Sequence, residues 1–228
     1  MSTEKIYRNF QLRVMGIIAL ALPPLAIILV MLVHGLPAPE SISQTATIAA
    51  RTDFLLPLCL GALALFSLTY SLKYSYADKL DKILTAIMCG GFLMVAMQIC
   101  ESDYITAERI GMFGVPQSIS HIMHCIGAVS GFGSMIFWVM LSFPRSDKPR
   151  NKQTVQKRIR NSIYYWLGWG MIGSLLIFIV NIIGFFGADF PVVFVVEWVM
   201  LGFGGLACLL KGGLFLSDRE VSDGQSTS

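Results

Sequence analysis

Long apolar runs separated by short polar intervals set the pattern of this chain. Six runs stand out: Val14 to Val33, Phe54 to Leu72, Ile83 to Ile99, Ile119 to Phe143, Ile163 to Phe186 and Phe190 to Leu210. Each is close to the roughly 20 residues a helix needs to cross about 30 Å of hydrocarbon. They are apolar on every side, whereas a closed barrel would show alternating segments of about ten residues divided by turns. The pattern predicts an all-α polytopic membrane protein, a bundle of six transmembrane helices that occupies the whole of residues 1–228 as a single integral membrane domain.

The intervals refine this picture. Pro23-Pro24 falls in the middle of the first span, where it must bend the helix and release backbone carbonyls. The first long loop, His34 to Asp53, contains Glu40-Ser41-Ile42-Ser43-Gln44-Thr45 and can form a structured cap, either a short interfacial helix or an irregular loop. Asp53 opens the second span, a place where an acid is favoured by exposed helix N–H groups. Tyr70, Tyr74 and Tyr76 are expected at headgroup depth. Part of Ile105 to Val115 is expected to lie along the interface as a short amphipathic helix, and Gly187-Ala188-Asp189 turns the last two spans into a hairpin.

Composition agrees. Of 228 residues, 55% are hydrophobic and 14% charged, and the mean hydropathy is +0.67, which leaves no room for a soluble domain. The basic residues give orientation. With a cytoplasmic N-terminus, only Arg51 and Arg109 of the 17 Lys and Arg residues fall outside, a positive-inside bias that fits a multi-pass protein of the cell membrane, the bacterial inner membrane, with both termini cytoplasmic. The first span resembles a signal sequence, but its apolar core exceeds the 7 to 15 residues or so of a signal h-region, so it is expected to be retained. The net charge of +3 therefore describes an inner face and excludes a nucleic-acid surface. Arg145, Lys148, Arg150, Lys152, Lys157, Arg158 and Arg160 form the densest basic stretch and are expected to meet the anionic inner leaflet. The five cysteines lack the spacing of a disulfide scaffold or zinc module. Cys100 and Cys125 fall toward the outer side and are the pair an oxidising compartment could join, although burial as packing residues is the more economical role.

The candidate chemistry lies in the outer half. In Ser118 to Ala128 a polar turn runs into an apolar helix, and His121 and His124, three apart, share a face. Gly127 and Gly131 let a neighbouring helix come close. Glu197, about two turns inside the last span, needs a partner or a wet cavity and should face the bundle. Together with Asp53 and Glu101, and with His34 and Asp103 nearby, these residues outline an outward-facing pocket for a small molecule or lipid headgroup, expected to be lined by His121, His124 and Glu197. Imidazoles and a carboxylate are also zinc ligands. His121, His124 and Glu197 could hold zinc and activate water for an intramembrane hydrolase acting on a lipid or amide, although H-x-x-H by itself is a weak signature. A third role is structural, with His124 and Glu197 bonded to each other or to other spans to keep the bundle in register, as in an assembly factor without a ligand.

Pro39-Glu40-Ser41-Ile42-Ser43, Asp53-Phe54, His124-Cys125-Ile126-Gly127-Ala128 and the last span from Phe194 to Gly212 carry a resemblance. In their order and spacing the chain resembles a group of uncharacterised bacterial six-helix integral membrane proteins and, more distantly, the damage-regulated autophagy modulator superfamily. The autophagy-modulator pattern has an acid directly after the histidine, where this chain has Cys125, and Gln44 stands where its outer loop usually has an acid. The resemblance implies six spans with both ends cytoplasmic and a role touching membrane lipids.

Overall fold

The computed structural model describes residues 3–33, 41–44, 55–73, 79–100, 108–146, 149–182 and 191–216. Six long helices account for most of them: α1 (Thr3–Ile27), α2 (Leu55–Lys73), α3 (Lys79–Met97), α4 (Gln117–Phe137), α5 (Val155–Ile182) and α6 (Val192–Lys211). Five of these helical stretches are long and apolar enough to cross a membrane, and α2 holds the shorter apolar helix Leu58–Tyr70. Each expected run falls largely on a helix, with α1 starting about three turns and α5 about two turns ahead of its run. The basic starts of α1, α3 and α5 are helical as well, because Lys and Arg are good helix formers.

Each helix packs on its sequence neighbours, and α6 returns to α1, so the bundle closes as a ring. Contacts of residues distant in sequence show the alternation of direction. Gln11 Nε2 on α1 donates to the Phe66 carbonyl and, at 2.6 Å, to Thr69 Oγ1 on α2. Arg13 reaches the far end of α6 at Gly212, and Ser120 at the start of α4 meets Gln98 just past the end of α3. One end of the ring therefore collects Arg8, Arg13, Lys157, Arg160 and Lys211, and His124 and Glu197 lie toward the other.

The α3–α4 seam needs its glycines. A Cβ on Gly91 would lie 2.4 Å from the Gly131 nitrogen and 2.7 Å from the Gly127 carbonyl oxygen, so the two backbones touch where sequence spacing predicted a close approach. Pro23 and Pro24 both lie inside α1. Prolines remove i→i−4 hydrogen bonds, and within one turn of them the helix widens into a π-helical turn, Ile28–Val33. A second π turn, Trp138–Ser142, extends α4.

Two expectations are corrected. Within the run Ile105 to Val115, the described part is a small antiparallel hairpin: β1 (Arg109–Ile110) pairs with β2 (Val115–Pro116). Gly111 and Gly114 turn it with φ of 72° and 56°, which few other residues adopt and a helix cannot contain. Tyr70 is buried, 5.1 Å edge-on from Trp138, instead of standing in an interfacial belt. Near the end of α6, Lys211 Nζ donates to the Phe143 carbonyl at 2.7 Å. Tyr74, Tyr76, Lys148 and the turn at 187–189 lie outside the described residues.

Candidate polar site

The site is assembled by a four-residue turn that drops into the bundle. Ser41 to Gln44 are all buried. The Ser41 hydroxyl accepts from the Gln44 N–H at 2.9 Å, the bond a serine makes when it caps the first turn of a helix. That cap leaves the N–H groups of Ile42 and Ser43 pointing outward, and a carboxylate is the natural partner for such a pair. Glu197 supplies it. Its Oε2 accepts from the Ile42 N–H at 2.5 Å, its Oε1 accepts from the Ser43 hydroxyl at 2.7 Å, and the Ser43 N–H bonds to the same group.

Ser43 continues the chain. Its Oγ lies 3.0 Å from His124 Nε2, and His124 Nδ1 lies 2.8 Å from the Gln98 carbonyl oxygen. Because a carbonyl only accepts, Nδ1 must carry a proton. The Ser43 hydroxyl has one hydrogen for two neighbours. If it donates to Glu197, then Nε2 must donate to Ser43 and the ring is an imidazolium facing a carboxylate. If it donates to Nε2, then Glu197 must be the protonated donor. Either way Glu197 and His124 together hold one titratable proton beyond the one on Nδ1. Without it two acceptors face each other somewhere in the chain; with a second proton, two donors do.

The supporting contacts fix Gln98. Its side-chain oxygen accepts from Ser120 Oγ at 3.1 Å, and Ser120 also donates to the Ile99 carbonyl at 2.8 Å. The hairpin docks alongside through the Met112 N–H on the Met97 carbonyl, 2.7 Å. Gln98 is 1% exposed, and its Nε2 has no acceptor among the described residues. Cys100 lies next to the site. Burial, with the Glu197 charge close by, pushes its thiol up to about 12, so it stays protonated and is not a nucleophile at neutral pH. Cys100 is buried and Cys125 exposed, and neither forms a disulfide.

An otherwise apolar cavity opens beside the Glu197–Ser43 contact. It is lined by Leu22, Ile42, Leu60, Phe92, Val95, Ala128, Phe132 and Leu201, with Ser43 and Glu197 as its polar edge, and holds about 20 Å³ of free space. That is room for about one water, so a larger occupant requires the lining to move.

Of the residues singled out in the sequence, the structure brings together Glu197 and His124. His121 is half-buried, and its Nε2 lies 3.6 Å from Cys125 Sγ, so it belongs to a different contact. The three-ligand zinc set of His121, His124 and Glu197 is not assembled: among the described residues no group of three His, Cys, Asp or Glu could hold a metal ion. A helical spacing of three sets two rings on one broad face but about 60° apart, enough to separate a buried ring from a half-buried one. His34, Asp53, Glu101 and Asp103 lie outside the described residues. Sequence reasoning missed Ser43, the Ile42 N–H, Gln98 and Ser120 as members of the site. A signal for Ser43 existed, since Ser-x-Ser directly after Pro39-Glu40 is turn and cap chemistry. The Gln98 carbonyl carries no such signal.

Comparison of the chain with protein families, curated proteins and solved structures yields no match.

Proposed function

We propose that this chain is a six-span integral membrane protein of a bacterial inner membrane, with both termini cytoplasmic, that binds a small molecule or lipid headgroup in an outward-facing pocket at Glu197, Ser43 and His124. The membrane reading is supported by the length of the helices and by what their outer faces carry. Ile17, Leu65, Ile126, Val129, Phe137, Leu176, Ile179 and Leu206 are each more than 40% exposed, a band too large and continuous for water. An even number of alternating helices returns the chain to its starting side, and the clustering of cations at one end supports making that side the inner one.

The observation that carries the pocket is the Glu197–Ser43–His124 chain at the polar edge of an apolar cavity. An amphiphile could place its apolar part against Leu22, Phe92 and Leu201 and present a hydroxyl or amine to Glu197, replacing the donors of Ile42 and Ser43. A carboxylate selects a donor-bearing headgroup and repels a bare anion. A lipid role also agrees with the resemblance carried by Pro39 to Ser43 and His124 to Ala128. Native mass spectrometry of protein extracted from its own membrane tests the proposal. A co-purified amine- or hydroxyl-headed amphiphile, lost in Glu197→Gln and in Ser43→Ala, is the expected result.

The structural reading has its own support: Glu197, Ser43 and His124 already satisfy one another. If wild type and both variants carry the same lipids in the same amounts, the chain of bonds is a latch and not a binding site.

A further inference from the structure

Between α3 and α4 the tip of the small hairpin carries two large apolar side chains, Met112 and Phe113, which are 74% and 58% exposed. The turn that holds them is closed. The Gly114 N–H donates to the Gly111 carbonyl at 3.1 Å, both glycines stand at positive φ, and Arg109 Nη1 donates to the Gly114 carbonyl at 3.2 Å. Ile110, on β1, is buried. One apolar residue of the hairpin thus fastens it to the bundle, while two others are held out at its tip.

The depth of the tip follows from what it hangs on. The Met112 N–H donates to the Met97 carbonyl at 2.7 Å, and Met97 is the last residue of α3, a helix of 19 residues that opens with Lys79. At about 1.5 Å per residue such a helix measures about 28 Å, close to the roughly 30 Å of a hydrocarbon core. With the basic end of α3 at the inner headgroups, Met97 comes to the outer edge of the hydrocarbon. The second strand agrees. β2 runs directly into α4, whose exposed apolar stripe of Ile119, Ile122, Ile126 and Val129 begins in the first turn, so the apolar exterior of the bundle reaches the base of the hairpin.

We propose that Met112 and Phe113 form a wedge seated in the outer leaflet, against the glycerol and upper acyl region of its lipids, with the exposed Glu108 and Arg109 at headgroup level. Large apolar and aromatic side chains at this depth are more favourable among lipids than in water. The wedge bears on the polar site through one residue. A Cβ on Gly111 would strike the Gln98 side-chain oxygen, and the backbone carbonyl of the same Gln98 meets His124 Nδ1. The inference rests on the reading of the chain as crossing a bilayer and does not depend on what the Glu197 pocket binds.

Nitroxide labels on the protein in nanodiscs of phosphatidylethanolamine and phosphatidylglycerol test this, in a Cys125→Ser background that removes the exposed thiol. Collision with oxygen, which partitions into lipid, is compared with collision with a water-soluble nickel chelate. The labels stand at Phe113→Cys, at Ile126→Cys on the α4 stripe, and at Asn151→Cys in the exposed turn Arg150–Lys152. Phe113 is expected to follow Ile126, with an oxygen-to-nickel ratio severalfold above that of Asn151. If Ile126 meets oxygen while Phe113 meets the nickel chelate, the tip stands in water and the proposal is overturned. If Phe113 is shielded from both reagents, protein covers the tip, and the lipid contact is overturned as well. If Ile126 itself behaves like Asn151, the membrane reading fails and the wedge fails with it. Met112→Cys repeats the measurement where a label at Phe113 unfolds the hairpin.

Discussion

Glu197 and His124 are joined through Ser43 Oγ, which lies 2.7 Å from the carboxylate and 3.0 Å from the imidazole. The acid of the last helix thus meets the histidine of the fourth across a serine delivered by the first loop. Three segments distant in sequence depend on one hydroxyl.

Removing that hydroxyl should cost more than one hydrogen bond. Ser43→Ala leaves Glu197 and His124 each short of a partner, an expected loss of about 2–4 kcal/mol at about 1–2 kcal/mol for each group left unsatisfied. Glu197→Gln made in the Ser43→Ala background should then cost less than it does alone, with a coupling of about 1–2 kcal/mol. Unfolding free energies of the two single variants and the double variant in detergent check this. Additive losses would mean that Ser43 and Glu197 act independently.

The two histidines should behave differently. His124 is 5% exposed and bonded at both nitrogens, so His124→Ala leaves both the Gln98 carbonyl and Ser43 without a partner and is expected to destabilise by about 2–3 kcal/mol. His121→Ala, which removes a half-buried ring whose Nε2 lies 3.6 Å from Cys125 Sγ, should cost less, about 0.5–1 kcal/mol. Thermal unfolding of the two variants side by side decides; matched losses would put His121 back in the site.

The helices were legible because long unbroken apolar runs without turn signals favour helix over strand, and Glu197 was legible because an acid in an apolar run has few places to go. Which histidine it answers to was not legible: His121 and His124 differ by three positions, and the choice rests on how α4 is rotated against α3. That rotation is set by Gly91, Gly127 and Gly131 meeting backbone to backbone. The contribution of Gln98 is a carbonyl oxygen, which every residue has. Its role comes from the chain leaving the helical pattern at the end of α3, where that oxygen is free to accept from a ring. Ser43 was hidden for a third reason. Loop residues lack the periodicity that places helical ones, so its insertion could be read only as a capping motif and not as a contact.

The hydrogen-bond logic predicts a tautomer. His124 Nδ1 faces a carbonyl and should remain protonated whatever the state of Nε2. In Glu197→Gln the new amide can donate to Ser43 Oγ while its oxygen accepts from Ile42, so the Ser43 hydrogen turns to Nε2 and keeps the ring neutral. Nitrogen-15 NMR of histidine-labelled protein should therefore show an Nε2 shift in the variant that does not move to the imidazolium value while the bundle stays folded. In wild type the site should hold together over a limited pH interval and weaken on both sides, because either loss or gain of a proton sets two like groups against each other. An Nε2-protonated, Nδ1-bare ring in either protein would contradict the assigned direction of the Gln98 bond.

Adjacent glycines on α3 give the sharpest test of the packing that orients the site. Gly90 and Gly91 are chemically identical and both helical, so propensity alone favours alanine at either position by roughly 0.5–1 kcal/mol. Around Gly90 an added Cβ meets nothing within 4 Å, whereas at Gly91 it would sit 2.4 Å from the Gly131 nitrogen and 2.7 Å from the Gly127 carbonyl oxygen. Backbone atoms cannot swing aside as a side chain can, so α3 and α4 must separate, at an expected cost of about 1–3 kcal/mol. Separation would also move Gln98 relative to His124, at the far end of the same two helices. Gly90→Ala should therefore match or slightly exceed wild type in thermal stability, and Gly91→Ala should lose stability and also shift the His124 ring resonances. If Gly91→Ala unfolds at the wild-type temperature with those resonances unmoved, the glycine contact does not set the rotation of α4.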